Sequence, residues 1–264
     1  MPNLKGRSFI NTLDFKPAEL EFLLDRARAL KKARGKKGRK PLDGKSVALV
    51  FFNPSLRTRV SFEVGIAELG GTAVTMSVGS ESWTLEYKEG AVMDQDKTEH
   101  IKDAAQVLSR YVDAIAVRSF PGMKSYDEDM SDPVITSFRK YATVPVINME
   151  SALWHPCQGL ADALTLQEKL GKLKGKKVTL TWAYHPKALP MAVGNSFAAI
   201  VSQLGADLTI AHPPEFALEK KFLDSLPRAP RIVHSKEEGL AGAQAVYAKS
   251  WGGSTFYGKW EEEK

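Results

Sequence analysis

The chain has one cysteine, Cys157, in 264 residues. A lone thiol excludes an internal disulfide framework and any zinc site built from several thiolates. Long apolar runs are missing as well. Nothing approaches the roughly 18 to 20 consecutive apolar residues that cross a bilayer, and the opening MPNLKGRSFI has no apolar centre of the signal-peptide kind. A cytoplasmic protein without a membrane partner is expected. Glycine-rich phosphate loops are absent too: no G-x-G-x-x-G follows a strand pattern, no G-x-x-x-x-G-K-[ST] occurs, and the turn after VTLTWAY reads HPKALP. That proline-rich turn does not suit a nucleotide phosphate, which argues against a dehydrogenase or P-loop enzyme.

Hydrophobic residues make up 43% of the chain, enough for real cores, and the length suits two domains. Short runs rich in β-branched residues read as buried strands: SVALVFF (46–52), TAVTMSV (72–78), DAIAVRSF (113–120) and VPVINME (144–150). Helical patterns lie between them at about 58–69, 99–111 and 132–141. This alternation predicts a parallel sheet covered on both faces. After a helix over 157–170 the alternation restarts with KKVTLTWAY, a helix near 191–204, ADLTIAH, RIVHS and QAVYAKS. The expected fold is therefore α/β, two parallel-sheet domains (1–150 and 151–264) joined by an interdomain helix. A cleft beyond the strand ends is the default site. Much of the net charge of +6 sits in KKARGKKGRK, residues 31–40. No aromatic residue interleaves that run to stack on bases, so a solvated helix end is favoured over a nucleic-acid surface.

The stretch FFNPSLRTR puts anion chemistry at the exit of the first strand. Asn53 and Pro54 signal a turn, and Ser55 is the expected N-cap of the next helix. Backbone N–H groups at such a start suit a phosphate. Arg57 and Arg59 add guanidinium forks and Thr58 a hydroxyl; two residues apart, one arginine binds while the other braces. Simple capping with solvated arginines is the competing reading. Arg118 ends a strand at the same edge, as either a ligand group or a surface salt bridge. His155 and Gln158 open the bridging helix, where they either hydrogen-bond a polar planar substrate group or serve structure. Glu150 ends a strand, and either orients an amine or is a helix-start charge. Trp83 and Glu86 lie in a polar connection, where an exposed tryptophan marks a lid, a subunit contact or ordinary packing. Lys249 ends the last strand and either meets a carboxylate or is solvated.

Taken together, SLRTR after a strand, a strand-end VRSF, and HPCQGLAD opening an interdomain helix resemble the aspartate and ornithine carbamoyltransferases. FFNPSLRTR, ESWTLEYKEGAVMD, INME, TWAYHPK and VYAKSWG are similar to the branch that acts on N-acylated ornithine. The resemblance implies carbamoyl transfer from carbamoyl phosphate to the δ-amine of an N-acylornithine in arginine biosynthesis, without metal or organic cofactor. It implies phosphate held at Ser55, Leu56, Arg57 and Thr58, joined by Trp83 from a neighbouring subunit of a homotrimer. The carbamoyl group is implied to meet Arg118, His155 and Gln158, with Thr58 also among the oxyanion donors. Glu150, Lys249 and His185 are implied to serve the acceptor. A knotted second domain is a further implication, in which the YAKSWG segment passes through the YHPKALP loop.

The family runs on beyond residue 264, through an H-C-L-P segment and a final helix, so a truncated chain that binds carbamoyl phosphate weakly and turns over poorly is expected. Thr98 stands where the acetyl branch has Glu and the succinyl branch has Pro, and Pro190 leans toward the succinyl pattern. The acetyl acceptor is kept ahead by a narrow margin. The rival readings are a plain ornithine or aspartate enzyme, a non-catalytic anion-binding fragment, and a basic nucleic-acid binder with steeply salt-dependent affinity.

Overall fold

The computed structural model describes residues 2–263 apart from residues 37, 39 and 95. The chain opens with α1 (Pro17–Ala33), which has proline at its first position. Glu19 reaches back to accept the Lys16 N–H at 2.8 Å and so fixes that start. The first α/β half follows as β1 (Ser46–Phe51), α2 (Arg57–Glu68) and β2 (Thr72–Ser77). Two short paired strands come next, β3 (Leu85–Glu86) and β4 (Glu99–His100), then α3 (Ile101–Tyr111), β5 (Ala114–Arg118), α4 (Tyr126–Met130), α5 (Pro133–Tyr141) and β6 (Val146–Glu150).

Four of these strands form a parallel sheet in the order β2-β1-β5-β6. In β1, Ala48 and Val50 face a core with Ile115, Val117 and Phe138, while Val47, Leu49 and Phe51 face another with Ala116 and Met149. Successive side chains point to opposite faces, so a continuous apolar run is what a doubly covered strand requires. At the edge, β2 keeps Val74 exposed.

The second half holds α6 (Pro156–Leu170), β7 (Lys177–Trp182), α7 (Ala192–Gln203), β8 (Asp207–Ala211), α8 (Lys220–Asp224), β9 (Arg231–Val233), α9 (Lys236–Leu240), β10 (Ala245–Lys249) and α10 (Trp260–Glu263). Its sheet is also parallel, in the order β10-β7-β8-β9. Strands and helices expected from the sequence thus lie within a few residues of those observed. Near the C-terminus the segment FYGKWEEEK carries α10, and the Trp260 ring lies against Gly252. The basic run keeps two of its residues, 37 and 39, outside the described set. Among the described residues no helix is long and apolar enough to cross a membrane.

Packing departs from chain order at both ends, since near the C-terminus Tyr257 Oη donates to Asp129 Oδ2 of the first half at 2.7 Å. Leu20 and Leu24 of α1, with Phe15, belong to the core of the second sheet, beside Leu180, Phe197 and Trp251. Nearly every residue of α7 is buried, because α6 covers it on one side and the second sheet on the other. Each sheet reverses its strand order once, between β1 and β5 and between β7 and β10. Such switch points open crevices at the carboxyl ends of strands.

Candidate active site

The first crevice begins where β1 ends. Leu56 already carries helical dihedrals (φ −81°, ψ −59°), so it, and not Ser55 as expected, is the residue flanking α2. Ser55 lies one residue further out, and its hydroxyl still accepts the Thr58 N–H at 3.2 Å. The remaining amides of the first turn have no intrahelical acceptor, leaving a concentration of donors at the positive end of the helix. The two arginines of the stretch differ. Arg59 Nε donates to Glu63 Oε1 at 3.1 Å, and Glu63 also accepts from Thr75 Oγ1 at 2.6 Å. Those bonds, Thr75 first, hold the Glu63 carboxyl below its ordinary range. Arg57 is exposed and has no side-chain partner among the described residues.

Across the switch point, β5 and β6 pair regularly to Val117–Asn148 and then shift register, so that Arg118 stands opposite Glu150. An extra residue on one strand re-aims the side chains beyond it. Arg118 is 8% exposed, which removes the surface salt-bridge reading. Its Nη1 donates to Pro54 O at 2.8 Å and its Nη2 to Glu150 Oε2 at 3.1 Å, and its guanidinium lies 4.2 Å over the Phe120 ring. Among the described residues its buried Nε has no partner. The Pro54 bond ties the end of β5 to the turn that leads into α2.

Glu150 gathers three other site residues. Burial raises its carboxyl above the ordinary value, against the pull of Arg118 and Lys249. His155 Nε2 lies 3.7 Å from Glu150 Oε2. Burial, then the Arg118 charge, push the imidazole down to about 4. At neutral pH the ring is therefore uncharged, and among the described residues its buried Nδ1 has no partner. Lys249, at the end of β10, is the contribution of the second sheet. Burial holds its ammonium below the ordinary value while Glu150 opposes that shift, and Nζ donates to Ser250 O at 3.2 Å.

One turn into α6, Gln158 Nε2 donates to Asp162 Oδ1 at 2.8 Å. Asp162 is pushed up to about 6 by burial. Tyr247 of β10 is raised by burial and by the same carboxylate. Sequence reasoning passed over Asp162 although HPCQGLAD carries the signal, since the residue four after Gln158 shares its helix face. It also gave Asn53 only a turn role, whereas its Oδ1 accepts the Phe120 N–H at 2.6 Å and so joins the two strand ends.

The other candidates lie apart. Trp83 is 63% exposed, and Thr98 is exposed. Glu86 sits in β3 and is bound by Lys97 Nζ at 2.9 Å. His185 accepts the Lys187 N–H at 3.1 Å and lines a recess with Trp182, Tyr184 and Trp260. Among the described residues no bond joins it to Glu150 or Lys249. No group of three metal-ligating side chains occurs among them either.

The geometry thus offers an anion cradle at a helix start, a buried arginine with a free donor, a neutral imidazole and a carboxamide, with a lysine facing them from the second sheet. The family model described as aspartate/ornithine carbamoyltransferase, carbamoyl-P binding domain, matches residues 7–168. N-acetylornithine carbamoyltransferase of Xanthomonas campestris pv. campestris is 48% identical over 98% of this chain and 78% of its own length. A crystal structure of acetylornithine transcarbamylase complexed with acetylcitrulline superposes with a TM-score of 0.92 at 46% identity, covering 97% of this chain and 79% of the other. A glutamate-to-serine variant of N-acetyl-L-ornithine transcarbamylase, complexed with carbamyl phosphate and N-succinyl-L-norvaline, superposes at 0.91 with 46% identity over the same shares.

Proposed function

Because this chain belongs to the aspartate/ornithine carbamoyltransferase family, we propose that it moves the carbamoyl group of carbamoyl phosphate to the δ-amine of N-acetyl-L-ornithine, giving N-acetyl-L-citrulline and phosphate in arginine biosynthesis. The observation that carries this reading is the tie between Arg118 and the Pro54 carbonyl, which sets the buried guanidinium beside the α2 helix start. Phosphate sits on Ser55, Leu56, Arg57 and Thr58. The carbamoyl oxygen takes hydrogen bonds from Thr58, Arg118 and His155, and the carbamoyl amide meets Gln158. A neutral His155 suits this role, because it donates from one nitrogen without adding a second positive charge beside Arg118. The unprotonated δ-amine attacks the carbonyl carbon, the C–O bond to phosphate breaks as the C–N bond forms, and the amine proton leaves with the phosphate. Positioning two reactants over charged donors accounts for the rate without a cofactor. Lys249 takes the carboxylate of the acceptor, with Glu150 and His185 serving its remaining polar groups.

Residues 1–150 carry the carbamoyl phosphate half and 151–264 the acceptor half, in the cytoplasm. The working assembly is a homotrimer in which Trp83 reaches a neighbour's phosphate site. Support comes from Leu56, Val60 and Val64, which form an exposed stripe along α2, 79%, 48% and 40% exposed. Repeating every four residues, they share one face of the helix. A knotted second half is also part of this reading. It is supported by Gly252 N–H donating to Leu189 O and Trp182 Nε1 to Trp251 O, both at 2.9 Å, which seat the segment after β10 against the loop after β7.

Thr98 favours a second reading, with N-succinylornithine as acceptor. A threonine repels no succinyl carboxylate, whereas a glutamate there does. The deciding assay supplies the purified chain with carbamoyl phosphate and, separately, ornithine, N-acetylornithine and N-succinylornithine, and measures ureido product. Transfer to N-acetylornithine is expected. Transfer to unmodified ornithine alone overturns both acylated readings, and saturable carbamoyl phosphate binding without transfer leaves an anion-binding module.

A further inference from the structure

Asp132 is 6% exposed and sits between β6 and α6 without belonging to either. Its Oδ2 accepts from Ser151 Oγ at 2.5 Å and from Leu153 N–H at 3.4 Å, and its Oδ1 accepts from Ala152 N–H at 3.2 Å. These three donors make up the turn between Glu150 and His155. From the other side, Asn195 Nδ2 donates to Leu153 O at 3.2 Å and His155 N–H donates to Ser196 Oγ at 2.7 Å. The turn is thus clamped by the first half of the molecule and by α7 of the second.

The backbone is strained at this point. Asp132 has φ +46° and ψ +55° immediately before Pro133. Among the described residues only Met123, φ +55°, shares a positive φ without being glycine. Met123 lies at a second carboxylate clamp, where Asp129 accepts the N–H groups of Gly122 and Met123, each at 2.8 Å, just beyond the end of β5. Both strained residues therefore occur where a buried aspartate holds a loop leaving a site strand. Strain of this kind persists only where the surroundings enforce it.

We propose that Asp132 is a positioning residue for the transfer: its carboxylate sets the 151–153 turn, and through it aims Glu150 and His155 at the same point of the crevice. The inference rests on the carbamoyltransferase reading for its kinetic consequence only. Burial raises the Asp132 carboxyl to about 6, with Asp129 adding to the rise and the three donors opposing it, so the folded chain keeps an anion there against its own desolvation.

Asp132→Asn tests this, because asparagine tolerates the same left-handed backbone while it removes the charge and puts an NH2 donor where one carboxylate oxygen accepted. The expected result has three parts. The melting temperature stays level or rises. The His155 pKa, followed by NMR of the histidine Cε1 protons and assigned with His155→Gln, moves up from about 4 toward 6.5 as the ring loses its burial. The kcat falls roughly 10- to 100-fold, with a smaller change in KM for carbamoyl phosphate. An unmoved His155 resonance in a folded Asp132→Asn protein overturns the proposal. Should that variant fail to fold, Ser151→Ala carries the test, since it removes one donor to Asp132 along with the acceptor of Asn148 Nδ2 and Trp154 N–H, and keeps both N–H bonds to the carboxylate: a smaller upward shift supports the proposal and none overturns it. A shifted His155 in a chain that transfers to no acceptor upholds the positioning and overturns the reaction proposed above.

Discussion

Arg118 and Glu150 meet at 3.1 Å from adjacent strand ends, with side chains only 10% and 11% exposed. Removing one member of such a pair strands the other charge in the interior. Glu150→Ala should therefore cost about 3 kcal/mol of unfolding free energy in urea denaturation, and Glu150→Gln clearly less, because its amide oxygen still accepts. A loss below 0.5 kcal/mol, on the order of a surface pair, would show that the guanidinium is solvated without Glu150.

His155 gives the protein a signature in acid. Its folded pKa of about 4 lies below the ordinary 6.5, so between those values the unfolded chain binds a proton that the folded chain refuses. The stability it contributes is complete above about 6.5 and drains as pH falls toward 4, by about 2 kcal/mol at pH 5. Asp132 and Asp162, raised to about 6, oppose this by taking up protons in the folded state below that pH. Chemical denaturation at pH 5 and pH 8 should show His155→Gln losing less on acidification than the parent. Equal losses refute the depressed pKa.

Arg57 and Arg59 should separate cleanly. Arg57 has no side-chain partner among the described residues, so Arg57→Ala should leave the melting temperature unchanged and weaken carbamoyl phosphate binding by about 10- to 100-fold, the value of a charge-assisted bond. Arg59→Ala breaks a half-exposed pair with Glu63 and should lower stability by only about 0.5 kcal/mol. Isothermal calorimetry with the two variants checks the pair, and equal loss of binding in both would contradict the division of labour.

For Thr98, the informative change is Thr98→Glu. If this position faces the acyl group, a new carboxylate should lower kcat/KM for N-succinylornithine about 10-fold or more relative to N-acetylornithine. An unchanged ratio places Thr98 away from the acceptor.

Assembly can be read directly. Val60→Glu places a charge in the middle of the α2 stripe, and light scattering should then report monomer where the parent reports trimer. A parent that is itself monomeric removes the role proposed for Trp83.

Much of the fold was legible because its main strands are continuous β-branched runs. SVALVF and AIAVR must be covered on both faces, which leaves few architectures. The short helices α4, α8 and α9 escaped, since five residues hold too little periodicity to be told from a turn. Nor does an apolar face say what will cover it: Leu20 and Leu24 advertise a buried helix, and only packing assigns that helix to the second sheet. In the site, Arg118, Glu150 and His155 were visible as polar residues at strand and helix ends. The register shift that turns Arg118 onto Glu150 was not visible, because it depends on how two distant strands pair. The buried aspartate Asp132 was hidden for the same reason, its partners being some twenty residues away.

Gly159 of α6 lies against α7 so closely that a Cβ there would stand 3.0 Å from Ser196 O. Backbone meets backbone at that contact, with no side chain to slide or re-pack. Mechanically, α6, α7 and the second sheet form one block, and α1 rides with it through Leu20 and Leu24. Any opening or closing of the crevice has to leave that block intact.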